Sequence, residues 1–177
     1  MTLDRRRFLS LTAAVGAVGA LWPALAQAGV QALGGPAFGS TWRAVVPEAA
    51  DPAGVRRAVA KVTGRVDALM SPWRADSEVS ALNRGGAGLW PLSPETAEVT
   101  RAALTLADET GGAFDPTMGP VVGAHGFGPI TSGRAGQWQA LALRAGALET
   151  PEGATLDLCG IAKGHALGRI AAALQDA

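Results

Sequence analysis

Residues 111–136 carry eight glycines and three prolines with no sustained hydrophobic period. No long helix and no central strand can run through such a stretch, and in a chain of 177 residues it reads as a long functional loop rather than a linker. Regular structure must therefore lie on either side of it. Upstream, Val55, Val59, Val62, Val66 and Leu69 recur at spacings of three and four, which predicts an amphipathic helix over residues 51–69. Asp51 is its expected N-cap and Pro52 its first helical residue. Pro72 breaks this period, a short helix is expected over residues 77–83, and a turn follows over residues 85–88. Ser93 and Pro94 then open a second long helix, in which Val99, Ala103, Leu106 and Ala107 face inward and which Gly111 stops.

The β signals are short. After a glycine-rich lead-in, residues 40–46 read as the first strand, ended by Pro47. Residues 140–144 and 154–158 read as strands around the turn Pro151-Glu152-Gly153, and residues 161–174 as a closing helix. The expected fold class is α+β, a mixed or antiparallel sheet with flanking helices, with no internal repeat and no interior boundary that divides the chain.

Residues 1–28 read as a targeting segment. Arg5, Arg6 and Arg7 precede Phe8 and Leu9, and the weakly hydrophobic Ala/Gly-rich run that follows holds Pro23 and ends in small residues suited to cleavage after Ala28. The pattern DRRRFLS is that of a twin-arginine export signal, so the expected location is the periplasm; a retained signal anchor is the alternative. Fifteen basic residues balance fifteen acidic ones, and without the leader twelve basic face fourteen acidic. That balance gives no basic surface for nucleic acid. Cys159 is the only cysteine, so no internal disulfide can staple the fold.

Three segments could carry chemistry. In TLDLCGIAKGHALGRIA, a buried strand is expected to deliver Asp157 to a glycine turn, with Gly160 admitting close backbone approach and Lys163 in the first turn of the next helix. Unpaired N–H groups, the helix dipole and a lysine together favour a phosphate. An ordinary strand-to-helix turn, with a lysine for solubility, meets the same spacing. In GGAFDPTMGPVVGAHGFGP, Phe114 and Asp115 sit on a stiff glycine-flanked loop that could clamp a planar ring; alternatively Asp115 caps its own loop and Phe114 fills the core. In LMSPWRADSEVSALN, Trp73 could stack on a ring or simply pack the loop. His125 and His165 have no metal-ligand spacing.

Taken in order, AFGSTWRAVV, the MSPW loop with SEVSALN, GAFDPTMGP with GFG, and LDLCGIAKGHALGRIA resemble the FAD:protein FMN transferases, the ApbE-like family, over residues 38–172. The resemblance implies a T-fold-like domain that binds FAD with magnesium and moves FMN onto a threonine hydroxyl of an exported redox protein, releasing AMP. Phe38, Trp73, Ala113, Phe114, Asp115, Asp157 and Lys163 match flavin-nucleotide positions, and Gly160 matches a backbone ligand of the metal. Phe38 stands where Met is usual, Cys159 where Gly or Ser is, His125 where Trp is, and Gly168 where Asp is. Family members continue past the closing helix, with an Asp and a Thr that complete the metal site and that are expected beyond Ala177. Residues 29–177 therefore correspond to the N-terminal part of the domain, and no catalytic residue is assigned within them. Two functions follow: the transferase, or a non-catalytic flavin- or nucleotide-binding remnant that serves periplasmic redox-enzyme maturation.

Overall fold

The computed structural model describes residues 29–175; residues 1–28, read above as a targeting segment, and Asp176 and Ala177 lie outside them. The described residues form two compact units that divide between Arg56 and Arg57, where the sequence showed no boundary. In the first unit, β1 (Val30–Ala37) and β2 (Ser40–Pro47) form one antiparallel hairpin paired from Val30↔Pro47 to Ala37↔Ser40. The glycine-rich lead-in is thus itself a strand. Its low β propensity is offset by the partner strand, because Trp42 lies across Gly35, with Nε1 2.9 Å from where a Cβ would stand. Phe38 (φ 51°) and Gly39 (φ 70°) make the two-residue turn, both in the left-handed region that a tight hairpin demands.

Helix α1 (Pro52–Met70) begins as expected: the Asp51 carboxylate accepts the N–H groups of Ala53 at 2.9 Å and Gly54 at 2.8 Å. In the second unit, α2 (Glu78–Gly85) is capped by Ser77, whose hydroxyl accepts the Ser80 N–H at 3.0 Å. Strand β3 (Gly88–Pro91) follows where a turn was expected to end, and α3 (Pro94–Glu109) opens on Ser93. Glu78 reinforces that opening: its carboxylate accepts the Ser93 hydroxyl at 2.8 Å and also the Thr96 hydroxyl, which places a negative charge at the positive end of α3. Val99, Ala103 and Ala107 are buried, but Leu106 is 36% exposed. The inward face runs through Thr96, Val99, Thr100, Ala103 and Ala107, and Leu106 lies on its flank.

The glycine-dense stretch holds one short helix, α4 (Gly119–Ala124). A Cβ on Gly123 would meet the Ile130 carbonyl oxygen at 2.0 Å, so the backbone of residue 130 lies flush against α4 and only glycine fits there. Strands β4 (Ala142–Arg144) and β5 (Ala147–Thr150) form a hairpin over Ala145-Gly146, and the three-stranded antiparallel sheet has the order β3-β5-β4. The second strand of that hairpin is therefore residues 147–150 rather than 154–158. Residues 154–158 form no strand and make a single parallel bridge, Arg134↔Ala154. Their apolar run reports burial, with Leu156 and Leu158 both 0% exposed, and not a ladder. Helix α5 (Cys159–Gln175) closes the fold and packs against α3. Small residues, Ala103 and Ala107 on α3 and Ala162 and Ala166 on α5, are buried on the two helices. The observed class is α+β with small antiparallel sheets and helices, as expected from the sequence.

Candidate functional site

The buried segment 154–158 leads through Asp157 directly into α5. Asp157 Oδ1 accepts the Cys159 N–H at 2.9 Å, while the Leu158 carbonyl accepts from Ile161 and Ala162 at 3.0 and 2.8 Å. The first turn of a 17-residue helix therefore presents exposed Gly160 and Lys163 at its positive end. This arrangement suits an anion.

A second segment closes on the same turn. The Asp157 N–H donates to the Pro116 carbonyl at 2.7 Å, and a Cβ on Gly160 would stand 3.0 Å from Cε2 of Phe114. Phe114, Asp115, Asp157 and Gly160 thus form one locus, although more than forty residues separate the two stretches that supply them. The loop is held stiff from within. Asp115 Oδ1 accepts both the N–H and the hydroxyl of Thr117 at 2.7 Å, and Thr117 Oγ1 accepts the Gln137 N–H at 2.8 Å. Asp115 therefore does cap its own loop. Phe114, however, is only half-buried, its ring set against the turn. Ala113 beside it is exposed.

A third segment reaches the site through Asn83, which sequence reasoning did not single out. Its Nδ2 donates to the Leu156 carbonyl and its Oδ1 accepts the Leu156 N–H, both at 2.8 Å. The available signal was a polar residue four positions after buried Val79, on the same helix face. Asn83 also lines a cavity of about 280 Å³, together with Trp73, Ser80, Arg84, Ile130 and Thr155. Trp73, 67% exposed, stands at this cavity rather than on the Asp157 turn. The Thr155 hydroxyl is buried and makes no hydrogen bond among the described residues. Phe38 belongs to the hairpin unit.

Cys159 is exposed as a residue. Desolvation of its thiol, then the Asp157 charge and a hydrogen bond to that carboxylate, push the thiol up to about 12 against a smaller downward pull from Lys163. A thiol raised in this way is mostly un-ionised near neutral pH, so it reacts slowly there. Among the described residues no group of three or more His, Cys, Asp or Glu is placed to hold a metal ion. Magnesium prefers six hard oxygen ligands, commonly one or two carboxylates plus phosphates and water. The described residues do not make such a site on their own, and the Asp and Thr expected beyond Ala177 fall outside them.

The sequence profile of the ApbE family matches residues 38–177, which takes in every segment of this locus. The chain belongs to the ApbE family. Among its curated relatives, the FAD:protein FMN transferase of Escherichia coli strain K12 is 32% identical over 103 residues, covering 56% of this chain and 29% of that protein. The enzyme of the same name from Haemophilus influenzae is 42% identical over 66 residues, 36% of this chain and 19% of its own length. Solved ApbE structures agree in fold. The flavin transferase ApbE from Vibrio cholerae, as its H257G mutant, superposes with a TM-score of 0.73 at 27% identity, covering 84% of this chain and 57% of that one. The apo flavinyl transferase ApbE of Pseudomonas stutzeri gives 0.72 at 26% identity, covering 85% and 56%. The chain thus spans about two- to three-tenths of the curated ApbE proteins it matches and little more than half of the solved ones.

Proposed function

We propose that the chain acts in flavin transfer, binding FAD where the Asp157 turn meets the Phe114 loop. The observation that carries this reading is the pairing of Asp157 with Pro116 beside the Phe114–Gly160 contact. It unites the two most distinctive stretches of the sequence, GAFDPTMGP and LDLCGIAKG, at a helix N-terminus furnished with Lys163. In the transfer reaction a threonine oxygen of an exported redox protein attacks the FMN-side phosphorus of the FAD pyrophosphate. The P–O bond to AMP breaks and AMP leaves. Lys163 and the α5 N-terminus oppose the negative charge of the pyrophosphate, and Asp157 contacts the nucleotide. Ala113, Phe114 and Trp73 offer apolar and aromatic surface to the rings, and Phe38 is the matched position carried by the hairpin unit.

Magnesium enters this reading through the Gly160 backbone oxygen alone, and no step above depends on it. A second reading, FAD binding without transfer, is favoured by the lack of a metal-binding cluster among the described residues. One experiment separates the two. The chain is mixed with FAD, magnesium and a threonine-containing acceptor peptide, and the peptide is weighed while AMP is assayed. Transfer adds one FMN to the peptide and releases one AMP; retention of FAD with neither product assigns the chain the binding role, and failure to retain FAD sinks both. The leader completes the proposal: export by the twin-arginine route places the chain in the periplasm with its acceptor. Replacing Arg5 and Arg6 by lysine is then expected to hold the protein in the cytoplasm, read by fractionation.

A further inference from the structure

We propose that Asn83 is the positioning residue of this site: by pairing both backbone groups of Leu156, its carboxamide fixes the register of the segment that presents Asp157 and Gly160. The inference rests on the flavin-nucleotide reading of that turn. Residues 154–158 cross the interior without a neighbouring strand among the described residues, so their buried N–H and C=O groups need partners from elsewhere. Asp157 finds the Pro116 carbonyl. Leu156, 0% exposed, finds the Asn83 side chain, which supplies donor and acceptor at 2.8 Å each and so stands in for a missing strand.

A primary amide is suited to this by its chemistry. It presents a donor and an acceptor side by side in one plane, whereas an ionised carboxylate only accepts and an aliphatic side chain does neither. The consequence reaches the turn because Asp157, only partly buried, lies directly between two fully buried leucines. A slip of one residue would carry Asp157 into a position now held by Leu156 or Leu158, both fully buried. Asn83 itself is held by a firm helix: Ser77 caps α2, donates its hydroxyl to the Ser71 carbonyl at 2.6 Å, and is followed by buried Val79 and Leu82. The same carboxamide lines the cavity at Trp73, so one residue joins the cavity wall to the anion turn.

The test uses the whole chain, whose sole cysteine, Cys159, reports on the turn because its backbone N–H is bonded to Asp157 Oδ1 at 2.9 Å. Asn83→Asp and Asn83→Ser are compared with the parent and with Leu148→Ala, which opens space at a fully buried position of β5 outside residues 154–158. At pH 8 both Asn83 variants should react faster at Cys159 with a thiol reagent, and each should bind FAD about tenfold more weakly, the loss expected for one or two buried hydrogen bonds. As the pH falls through its pKa, the introduced carboxyl gains a proton and again offers a donor beside an acceptor. Asn83→Asp should then move back toward the FAD affinity of the parent at the same pH, while Asn83→Ser should not.

An unchanged thiol rate in both variants overturns the proposal, as does an equal rise in Leu148→Ala. If Asn83→Asp is unfolded at pH 8, refolding as the pH is lowered through the carboxyl's pKa supports the pairing and failure to refold overturns it. Should the parent bind no FAD, the functional reading fails while the thiol rates still decide the role of Asn83.

Discussion

At Gly160 two effects of one methyl group oppose each other. Alanine raises helix propensity by about 1 kcal/mol relative to glycine. Its Cβ would also stand 3.0 Å from Phe114 Cε2, close enough that the ring must shift. A double-mutant cycle separates the two. Gly160→Ala should bring no gain in the parent, whereas in a Phe114→Leu background it should stabilise by about 1 kcal/mol, measured by urea unfolding. Equal effects in both backgrounds would show that the ring does not confine residue 160. Asp157 admits a second test through its neighbour. Since its charge and hydrogen bond, after desolvation, raise the Cys159 thiol to about 12, Asp157→Asn should lower that value. Alkylation at pH 8 then accelerates by about tenfold for each pKa unit recovered, as the thiolate is the reactive form. A pH–rate profile superimposable on the parent's would remove Asp157 from the account.

Three helices are tied together by one carboxylate. Glu95 on α3 accepts from Arg65 on α1 and lies 3.0 Å from His165 Nε2 on α5, with its side chain 12% exposed. Burial alone would raise its pKa, but the hydrogen bonds and charges of Arg65 and His165 outweigh burial and hold it below the usual carboxylate value of 4.5. A depressed carboxylate pKa contributes stability that is complete above the unfolded value and is lost as pH falls through the folded one. The parent should therefore lose stability below about pH 4.5, and Glu95→Gln should lose less over the same acid range, read as denaturation midpoints. An identical acid limb in the two proteins would separate Glu95 from helix anchoring. These helices were also the legible part of the sequence. Asp51-Pro52 and Ser93-Pro94 mark starts by local chemistry, and a 3.6-residue period needs no distant partner. The strands depended on partners. Residues 30–37 form a strand because Trp42 covers their glycine, and residues 154–158 fail to form one because Asn83 and Pro116 take up their backbone groups instead of a neighbouring strand.

The same contrast holds for the whole molecule. Phe114, Asp115, Asp157, Gly160 and Lys163 could be named from the sequence because two distinctive motifs carry them. That Asp157 bonds Pro116 and that Asn83 supports the segment between them are long-range facts, set by packing over separations that no local pattern encodes. The chain consequently holds a turn braced by the Phe114 loop and by α2, and on the proposed reading the groups that would face the pyrophosphate are a helix N-terminus and a lysine. Such contacts do not need a metal. FAD should therefore stabilise the chain even with a chelator present, and it should do so more than equal concentrations of FMN or AMP, since only the dinucleotide can reach the turn and the aromatic surfaces together. At a ligand concentration one hundred times the dissociation constant the linkage gain is about 2.7 kcal/mol, which shifts the midpoint of a domain this size by several degrees. Thermal unfolding in EDTA with each ligand measures it. A shift that appears only when magnesium is added would mean that the cation, and not Lys163 with the α5 N-terminus, holds the pyrophosphate.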